Sequence, residues 1–139
     1  MKVQVKKVSE VQRLRFRISK QKELIDYYEQ MSHTLGGSDY SHERVDCTRN
    51  LEAPYVRWIF KRIEAEEKLK EMESALVVKV DELATLIDQL DNVDYKKILT
   101  YRYVLDTDWY DMPSVLNYSS STIYRFHRLA LVELKKLDS

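Results

Sequence analysis

The chain has 139 residues, a formal net charge of zero and 33% charged residues, with only two glycines, two prolines and one cysteine. This length allows one ordinary domain or a small module with a helical extension, and the scarcity of glycine and proline favours an all-α protein. A single cysteine excludes an internal disulfide, and no apolar run approaches the ~20 residues that span a bilayer. Because the start of the sequence also has no apolar signal core, we expect a cytoplasmic protein that contacts no membrane.

The charge is distributed unevenly along the chain. Residues 1–30 carry a surplus of four basic residues, and residues 52–91 carry an excess of four acidic residues. Residues 92–139 have a net charge of +1, so a nucleic-acid-binding unit located there would bind phosphates weakly as a monomer. We therefore expect such a unit to act as a homodimer, or with help from the basic N-terminal segment.

The first predicted helix runs from about Ser9, its N-cap, to His33, after a frayed basic arm over residues 1–7. Apolar residues recur at steps of three and four, with Gln21 filling one gap, which predicts a heptad-like seam. The seam consists of Val8, Val11, Leu14, Ile18, Ile25 and Tyr28. A basic face carries Arg13, Arg15, Arg17, Lys20 and Lys22. A solvated face, or one paired with the acidic middle of the chain, explains this pattern better than a face that follows DNA.

Residues 34–52 are expected to form a polar connector, because Gly36 and Gly37 are typical of a helix end. Potential metal ligands in it are Asp39, His42, Glu43, Asp46 and Cys47. Their spacing matches no known zinc site. We therefore expect a loop without a bound metal.

Pro54, a residue favoured in the first turn of a helix, opens a second long helix that reaches about Asp91. Its apolar residues also recur at helical spacing: Tyr55, Trp58, Ile59, Ile63, Leu69, Met72, Leu76, Val80, Leu83, Ile87 and Leu90. The two helices predict an antiparallel, coiled-coil-like hairpin over residues 1–91. At 1.5 Å per residue the second helix is about 20 Å longer than the first, so the C-terminal unit or a second copy must cover its remaining stripe.

Residues 92–139 read as three helices joined by two short breaks. Thr107, Asp108 and Asp111 predict the start of a middle helix over residues 109–116. Asn117 follows it and tolerates the left-handed conformation that ends many helices. The hydroxyl residues after Asn117 are suited to capping a last helix that starts at Ser119. This layout predicts a helix-turn-helix, whose second helix enters a DNA major groove.

The last helix has two different faces. An apolar stripe contains Ile123, Phe126, Ala130, Leu134 and Leu137. At ~100° per residue, Ser121, Arg125 and Arg128 lie together on the opposite side, flanked by Tyr124. Arginine pairs with guanine and with phosphate oxygens, and hydroxyls bind either group. From spacing alone, a DNA-reading face and an ordinary solvated face explain the pattern equally well.

The segment LNYSSSTIYRFHRLALVEL resembles the fourth conserved region of bacterial sigma factors, in which a short helix ends at Leu-Gly-Val-Ser and a recognition helix ends at Ala-Leu. Here Leu116–Ser119 stand in the turn, and Ala130 and Leu131 stand at the Ala-Leu pair. Upstream, Ile98, Leu99, Arg102 and Tyr103 are similar to the I-L-x-x-R-Y pattern of phage-borne relatives. These include ArpU- and RinA-type regulators of late or autolysin genes and small uncharacterised phage proteins from Gram-positive hosts.

The resemblance implies a phage or prophage transcription regulator with base-reading residues at Ser120, Ser121, Thr122, Tyr124 and Arg125. Arg128, on the same outer face, completes the candidate DNA-binding set. The chain departs from the pattern at Asn117, where relatives carry glycine, and at Pro113, which we expect to kink the middle helix.

Motifs of enzymes are missing from the sequence: it has no glycine-rich phosphate loop, no His-Glu-x-x-His and no cysteine pair. The histidines are scattered, and His127, at the edge of the apolar stripe, is better suited to packing than to a phosphate contact. We therefore expect no enzyme activity, no cofactor and no small-molecule substrate. The expected partner is double-stranded DNA. The alternative is a protein-interaction module that binds RNA polymerase or a phage assembly partner through the coiled coil and the region 4-like unit.

Overall fold

The computed structural model describes residues 4–38 and 54–138 of the chain. Regular structure in these residues is entirely helical, which confirms the all-α prediction. The elements are α1 (Lys6–Ser38), α2 (Pro54–Asp88), α3 (Val93–Leu99), a π-helical segment (Thr100–Val104), α4 (Met112–Leu116) and α5 (Ser120–Asp138). None of these helices is both long enough and apolar enough to cross a membrane.

The chain forms two compact units. The first consists of Met1–Arg15 with Ala75–Ser139, and the second of Phe16–Ser74. The predicted boundary between residues 91 and 92 lies inside the first unit, and as a division into separate domains it stays a prediction.

The second unit contains an antiparallel pair of helical segments from α1 and α2. The Gln21 side chain, the polar member of the predicted seam, donates a hydrogen bond of 2.9 Å to the Ala65 carbonyl of α2. Further along, the Trp58 ring lies edge-on against Tyr27 and beside Tyr28, with ring centroids about 6 Å apart. The polar connector and its potential metal ligands lie outside the described residues.

The core of the first unit combines residues from both ends of the chain. It contains apolar side chains of α1, α2, α3, the π-helical segment and α5: Val5, Val8, Val11, Leu83, Leu86, Ile87, Leu90, Leu99, Tyr103, Ala130 and Leu134. Ion pairs flank the helices, from Lys7 to Glu82 at 4.0 Å and from Lys79 to Glu10 at 3.3 Å. Since exposed pairs contribute only about 0–1 kcal/mol, apolar burial is the main stabilising interaction here.

The ends of α1 differ from the prediction. The helix begins at Lys6 rather than near Ser9, and the Ser9 amide donates to the Val5 carbonyl inside the first turn. The arm is not frayed at Val5, which is 2% exposed, because the core of the first unit provides a site for this side chain. At the other end, α1 continues through both glycines to Ser38. A glycine weakens a helix by about 1 kcal/mol but does not by itself end it.

The seam of α2 is confirmed towards its C-terminal end, where Leu83 and Ile87 are buried. The helix ends at Asp88 rather than near Asp91, and Leu90, just beyond its end, is also buried. Near its N-terminal end the seam is displaced, because Ala65 is buried whereas Ile63 is 43% exposed. The small Ala65 side chain allows the Gln21 side chain to approach the backbone of α2 closely. The spacing of apolar residues in the sequence does not reveal such a contact.

Arg15 was predicted on a solvated or acid-paired face, and the structure gives it a more specific position. Its guanidinium donates hydrogen bonds to the carbonyls of Tyr103 and Val104 and lies 3.7 Å from the Asp106 carboxylate. The last carbonyls of a helix have no partner inside the helix. Arg15 therefore satisfies the end of the π-helical segment and connects α1 to it.

Candidate nucleic-acid interface

The C-terminal helices begin with α3, which is capped by the Asn92 side chain. Its Oδ1 accepts hydrogen bonds from the amides of Asp94 at 2.9 Å and Tyr95 at 3.3 Å. The π-helical segment continues α3, with the Leu105 amide donating to the Thr100 carbonyl five residues earlier. Single π turns inside α-helices are frequent at functional sites, and no periodicity in the sequence predicts this one.

The middle helix, α4, is shorter than predicted. It begins at Met112 instead of Trp109, because residues 108–111 form a turn in which the amides of Asp111 and Met112 both donate to the Asp108 carbonyl. The predicted capping by Thr107 and Asp108 is therefore wrong. The later start also places Pro113 in the first turn of α4, where a missing amide breaks no helical hydrogen bond, so the expected kink does not arise.

The turn between α4 and α5 confirms the role predicted for Asn117. This residue has φ 61° and ψ 39°, the left-handed conformation, and its amide donates to the Pro113 carbonyl. Ser119 then caps α5 by accepting a hydrogen bond of 3.3 Å from the Thr122 amide. The Tyr118 hydroxyl donates to the Asp94 carboxylate of α3, a bond that raises the pKa of Tyr118. The turn is thus held at both ends and against α3.

The apolar stripe of α5 packs as predicted over most of its length. Ile123, Ala130 and Leu134 are at most 1% exposed, whereas Leu137 is 41% exposed. Ile123 forms a small core with Ile98 and Met112, and Ala130 and Leu134 belong to the core of the first unit. Two cores therefore hold α5 along one side.

The predicted DNA-binding residues lie mainly on the opposite side of α5. Ser120, Ser121, Tyr124, Arg125 and Arg128 are exposed, and Thr122 is half-buried. The Thr122 hydroxyl accepts a hydrogen bond of 2.8 Å from the Ser119 hydroxyl, so Thr122 takes part in the cap of α5. We call Ser120, Ser121, Tyr124, Arg125 and Arg128 the outer face of α5.

Aromatic rings support two side chains of the outer face. The Arg125 guanidinium lies 5.3 Å from the centroid of the Phe126 ring, and the Tyr124 ring lies 5.4 Å from that of Trp109. Such contacts stabilise a cation or a ring by about 0.5–1 kcal/mol at exposed positions. They restrict the positions of both side chains without covering them.

His127 is packed rather than exposed beside the outer face. Its Nε2 lies 2.6 Å from the Tyr103 hydroxyl, and the Trp109 ring meets it edge-on with centroids 4.7 Å apart. Burial, and secondarily the positive charge of Arg102, lowers the pKa of His127 to about 4. The imidazole is therefore neutral at pH 7, and its Nε2 shares a hydrogen bond with the Tyr103 hydroxyl.

A groove of about 540 Å³ runs between α5 and the start of α1. One wall contains Arg102, Tyr103, Trp109, His127, Arg128 and Leu131, and the other contains Gln4, Val5, Val8, Ser9 and Gln12. We call it the α1–α5 groove. Sequence reasoning missed it, because its walls come from opposite ends of the chain. Arg102, Tyr103 and Arg128 were each singled out from the sequence, but no pattern indicated that they line one groove.

No three His, Cys, Asp or Glu side chains come together to hold a metal ion in residues 4–38 and 54–138. The potential ligands of the connector lie outside this part of the chain, so that hypothesis is neither supported nor contradicted.

The fold is all-helical, and near its C-terminus a turn at Asn117 joins the short α4 to α5. The profile of one family, described as "Protein of unknown function (DUF1492)", matches residues 39–135, and the chain belongs to this family. Comparisons with curated proteins and with solved structures gave no match.

Proposed function

We propose that this protein is a DNA-binding transcription regulator of phage or prophage origin that inserts α5 into a major groove. The observation that carries the proposal is the outer face of α5, where hydroxyl, phenol and guanidinium groups are exposed along one side of a helix. These groups suit base edges and phosphate oxygens. The resemblance to sigma region 4 supports the same orientation, with the N-terminal turns of α5 nearest to the bases.

A base-reading helix must be held rigidly, and several contacts support this for α5. The left-handed Asn117 fixes a short turn after α4, and Tyr118 binds Asp94 of α3. Ile123 is 1% exposed in the core that also contains Met112 of α4. Because both helices of the pair contribute to this core, a rotation of α5 would cost buried apolar contacts.

The low net charge of residues 92–139 limits nonspecific affinity, which depends on the number of phosphates neutralised. We therefore propose that the protein binds DNA as a homodimer, which doubles the arginines presented to the duplex. Val77 and Val78 of α2 are 69% and 57% exposed and provide an apolar surface for a second copy. Sedimentation of the free protein and of its complex with DNA measures the number of copies in each.

Selection from a random duplex library, followed by fluorescence anisotropy on the enriched sequence, tests the proposal. We expect a sequence preference at low and moderate salt. Arg125→Ala and Arg128→Ala should each weaken binding to the selected site by about 5–150-fold, the range for loss of one bidentate contact worth about 1–3 kcal/mol. Arg57→Ala, which removes an exposed arginine of α2, is the matched control and should leave affinity almost unchanged. Absence of any sequence preference, or equal effects of the three variants, would refute the proposal.

A protein-interaction module is the second candidate, and the exposed Val77 and Val78 favour it. An apolar pair of this kind suits a protein contact better than a phosphate backbone. The partner would be RNA polymerase or a phage assembly protein. Pull-down of purified polymerase by the wild type, but not by Val77→Asp, together with no binding to any duplex, would favour this candidate over the first.

A further inference from the structure

We propose that the α1–α5 groove binds a small organic anion, with its charged group against Arg102 and Arg128 and its apolar part against the apolar side chains of the lining. The ligand is a bound effector and not a substrate. This inference goes beyond the DNA-binding proposal and does not require it, because all the lining residues of the groove except Arg128 lie outside the outer face of α5.

The charge of the groove is the first argument. Its lining includes two arginines and no acidic residue, in a chain whose net charge is zero. Among the described residues, neither Arg102 nor Arg128 lies within ion-pair distance of a carboxylate, although other basic side chains do. Two guanidinium groups that line one groove without an acidic side chain make it positively charged, and such a groove attracts an anion.

The position of Arg102 is the second argument. Its Nη1 donates to the Thr107 carbonyl at 3.0 Å, and the guanidinium lies 4.9 Å from the centroid of Trp109. Its Nε is buried and has no hydrogen-bond partner within the described part of the chain. Because arginine keeps its charge under all ordinary conditions, this group is a fixed, partly desolvated cation, and such cations bind anions more strongly than freely hydrated ones do.

The remaining lining defines the rest of the ligand. The lining also contains the apolar side chains of Val5, Val8 and Leu131, and Gln4 and Gln12 add amide groups. A volume of about 540 Å³ falls within the range of small-molecule sites, which are mostly apolar with a few well-placed polar groups. A carboxylate or a phosphate on an apolar or aromatic body satisfies these features. A bare inorganic ion leaves these apolar side chains uncovered.

The groove also contacts the candidate DNA-binding residues through Arg128, which belongs both to its lining and to the outer face of α5. A ligand that engages this guanidinium competes with a phosphate or a base for it. The bound anion is therefore expected to weaken DNA binding, and by linkage DNA weakens anion binding by the same factor.

The test uses the full chain carrying Trp58→Phe, in which Trp109 is the one remaining tryptophan and reports directly on the groove. The probes are 1-naphthoate, adenosine monophosphate, inorganic phosphate and the uncharged 1-naphthalenemethanol. We expect a saturable change of Trp109 fluorescence with naphthoate or with the mononucleotide, and these two arms distinguish a carboxylate ligand from a phosphate ligand. Naphthalenemethanol and inorganic phosphate should bind at least about ten-fold more weakly. The first lacks the anionic group, and the second lacks the apolar body.

Variants on both walls locate the binding. Arg128→Gln removes a charged hydrogen bond and should weaken the anion by about ten-fold, and Gln12→Glu should weaken it by placing an acid on the opposite wall. Arg125→Gln is the matched control, since it makes the same change on an exposed residue of the same helix that does not line the groove. It should leave anion binding unchanged, and circular dichroism verifies that each variant keeps its helices.

Three results would overturn the proposal: no saturable signal with either organic anion at millimolar concentration, equal affinity for naphthalenemethanol, or equal effects of Arg125→Gln and Arg128→Gln. Binding of inorganic phosphate and duplex DNA without either organic anion would also overturn it, because the groove would then contact the DNA backbone. If the protein binds the organic anion but no duplex DNA, the groove proposal is supported and the DNA-binding proposal is not. The two proposals can therefore fail independently.

Discussion

The two compact units differ in how completely they bury their apolar residues. Among the described residues, all the buried apolar side chains except Ile18 and Ala65 belong to the first unit. In the second unit two helical segments pair along a narrow seam, and Phe60 and Ile63 are exposed. In the first unit, segments of α1 and α2 meet α3 and α5, so side chains are enclosed from several directions. An apolar seam of similar spacing therefore becomes a core only where more than two helices meet.

The largest expected effect is a loss of stability when a leucine of α2 is replaced by alanine, and this loss should differ between the two units. Leu83→Ala, at a residue that is fully buried in the first unit, should lower the free energy of unfolding by about 2–5 kcal/mol. Leu69→Ala, at a half-buried position of the second unit, should cost clearly less, since part of the removed surface is already hydrated. Denaturant midpoints measure both, and equal losses would show that the two units are enclosed to the same degree.

A pH-dependent loss of stability is expected next, and it arises from His127 in the first unit. The pKa of His127 is lowered to about 4 in the folded state, against about 6.5 in the unfolded chain. Between these values the unfolded state binds more protons, so stability falls as the pH decreases from about 6.5 towards 4. His127→Gln should reduce this dependence relative to the wild type, whereas His33→Gln, at an exposed position of α1, should not. Chemical denaturation at pH 7 and pH 5 measures the change, and an identical pH profile for both variants would contradict it.

The turn before α5 provides a smaller and more local test. Asn117→Ala places a Cβ without a polar group in the left-handed conformation of this residue and should destabilise the first unit by about 1 kcal/mol. Asn117→Gly is the control, because glycine adopts this conformation without steric cost, and it should stay within about 0.5 kcal/mol of the wild type. If thermal denaturation shows alanine to be as stable as asparagine, the left-handed turn is not required for the pair α4–α5.

The smallest effect concerns the start of α3. Asn92→Ala removes the side chain that caps the amides of Asp94 and Tyr95 and should cost about 0.5–1 kcal/mol, the lower part of the range for a lost cap, because Asn92 is exposed. Asp91→Ala changes the adjacent exposed residue, which is not the cap, and should be nearly neutral. Hydrogen exchange of the first amides of α3 should accelerate in the first variant only, and acceleration in both would indicate general fraying.

Much of the local structure could be predicted from particular residues. The steps of three and four predicted α1 and α2 together with the seam residues that are buried, and Gln21 was correctly placed within the seam. In the C-terminal helices, the residue types after Leu116 were sufficient for the left-handed Asn117, the capping Ser119 and the exposed arginines of α5. These features depend on interactions between neighbours within one or two helical turns, and a periodic sequence contains that information directly.

Other features could not be predicted because their partners are distant in the chain. Val5 is buried and Arg15 is bound to the end of the π-helical segment only because α1 packs beside residues from the C-terminal third. The same applies to the α1–α5 groove and to the neutral His127. The late start of α4 has a local cause, the turn at Asp108, which the capping residues alone did not predict. The sequence by itself determined which helices form and which of their faces are apolar. Only the tertiary structure decided which faces meet, because burial is set by contacts between helices and not by the spacing within one.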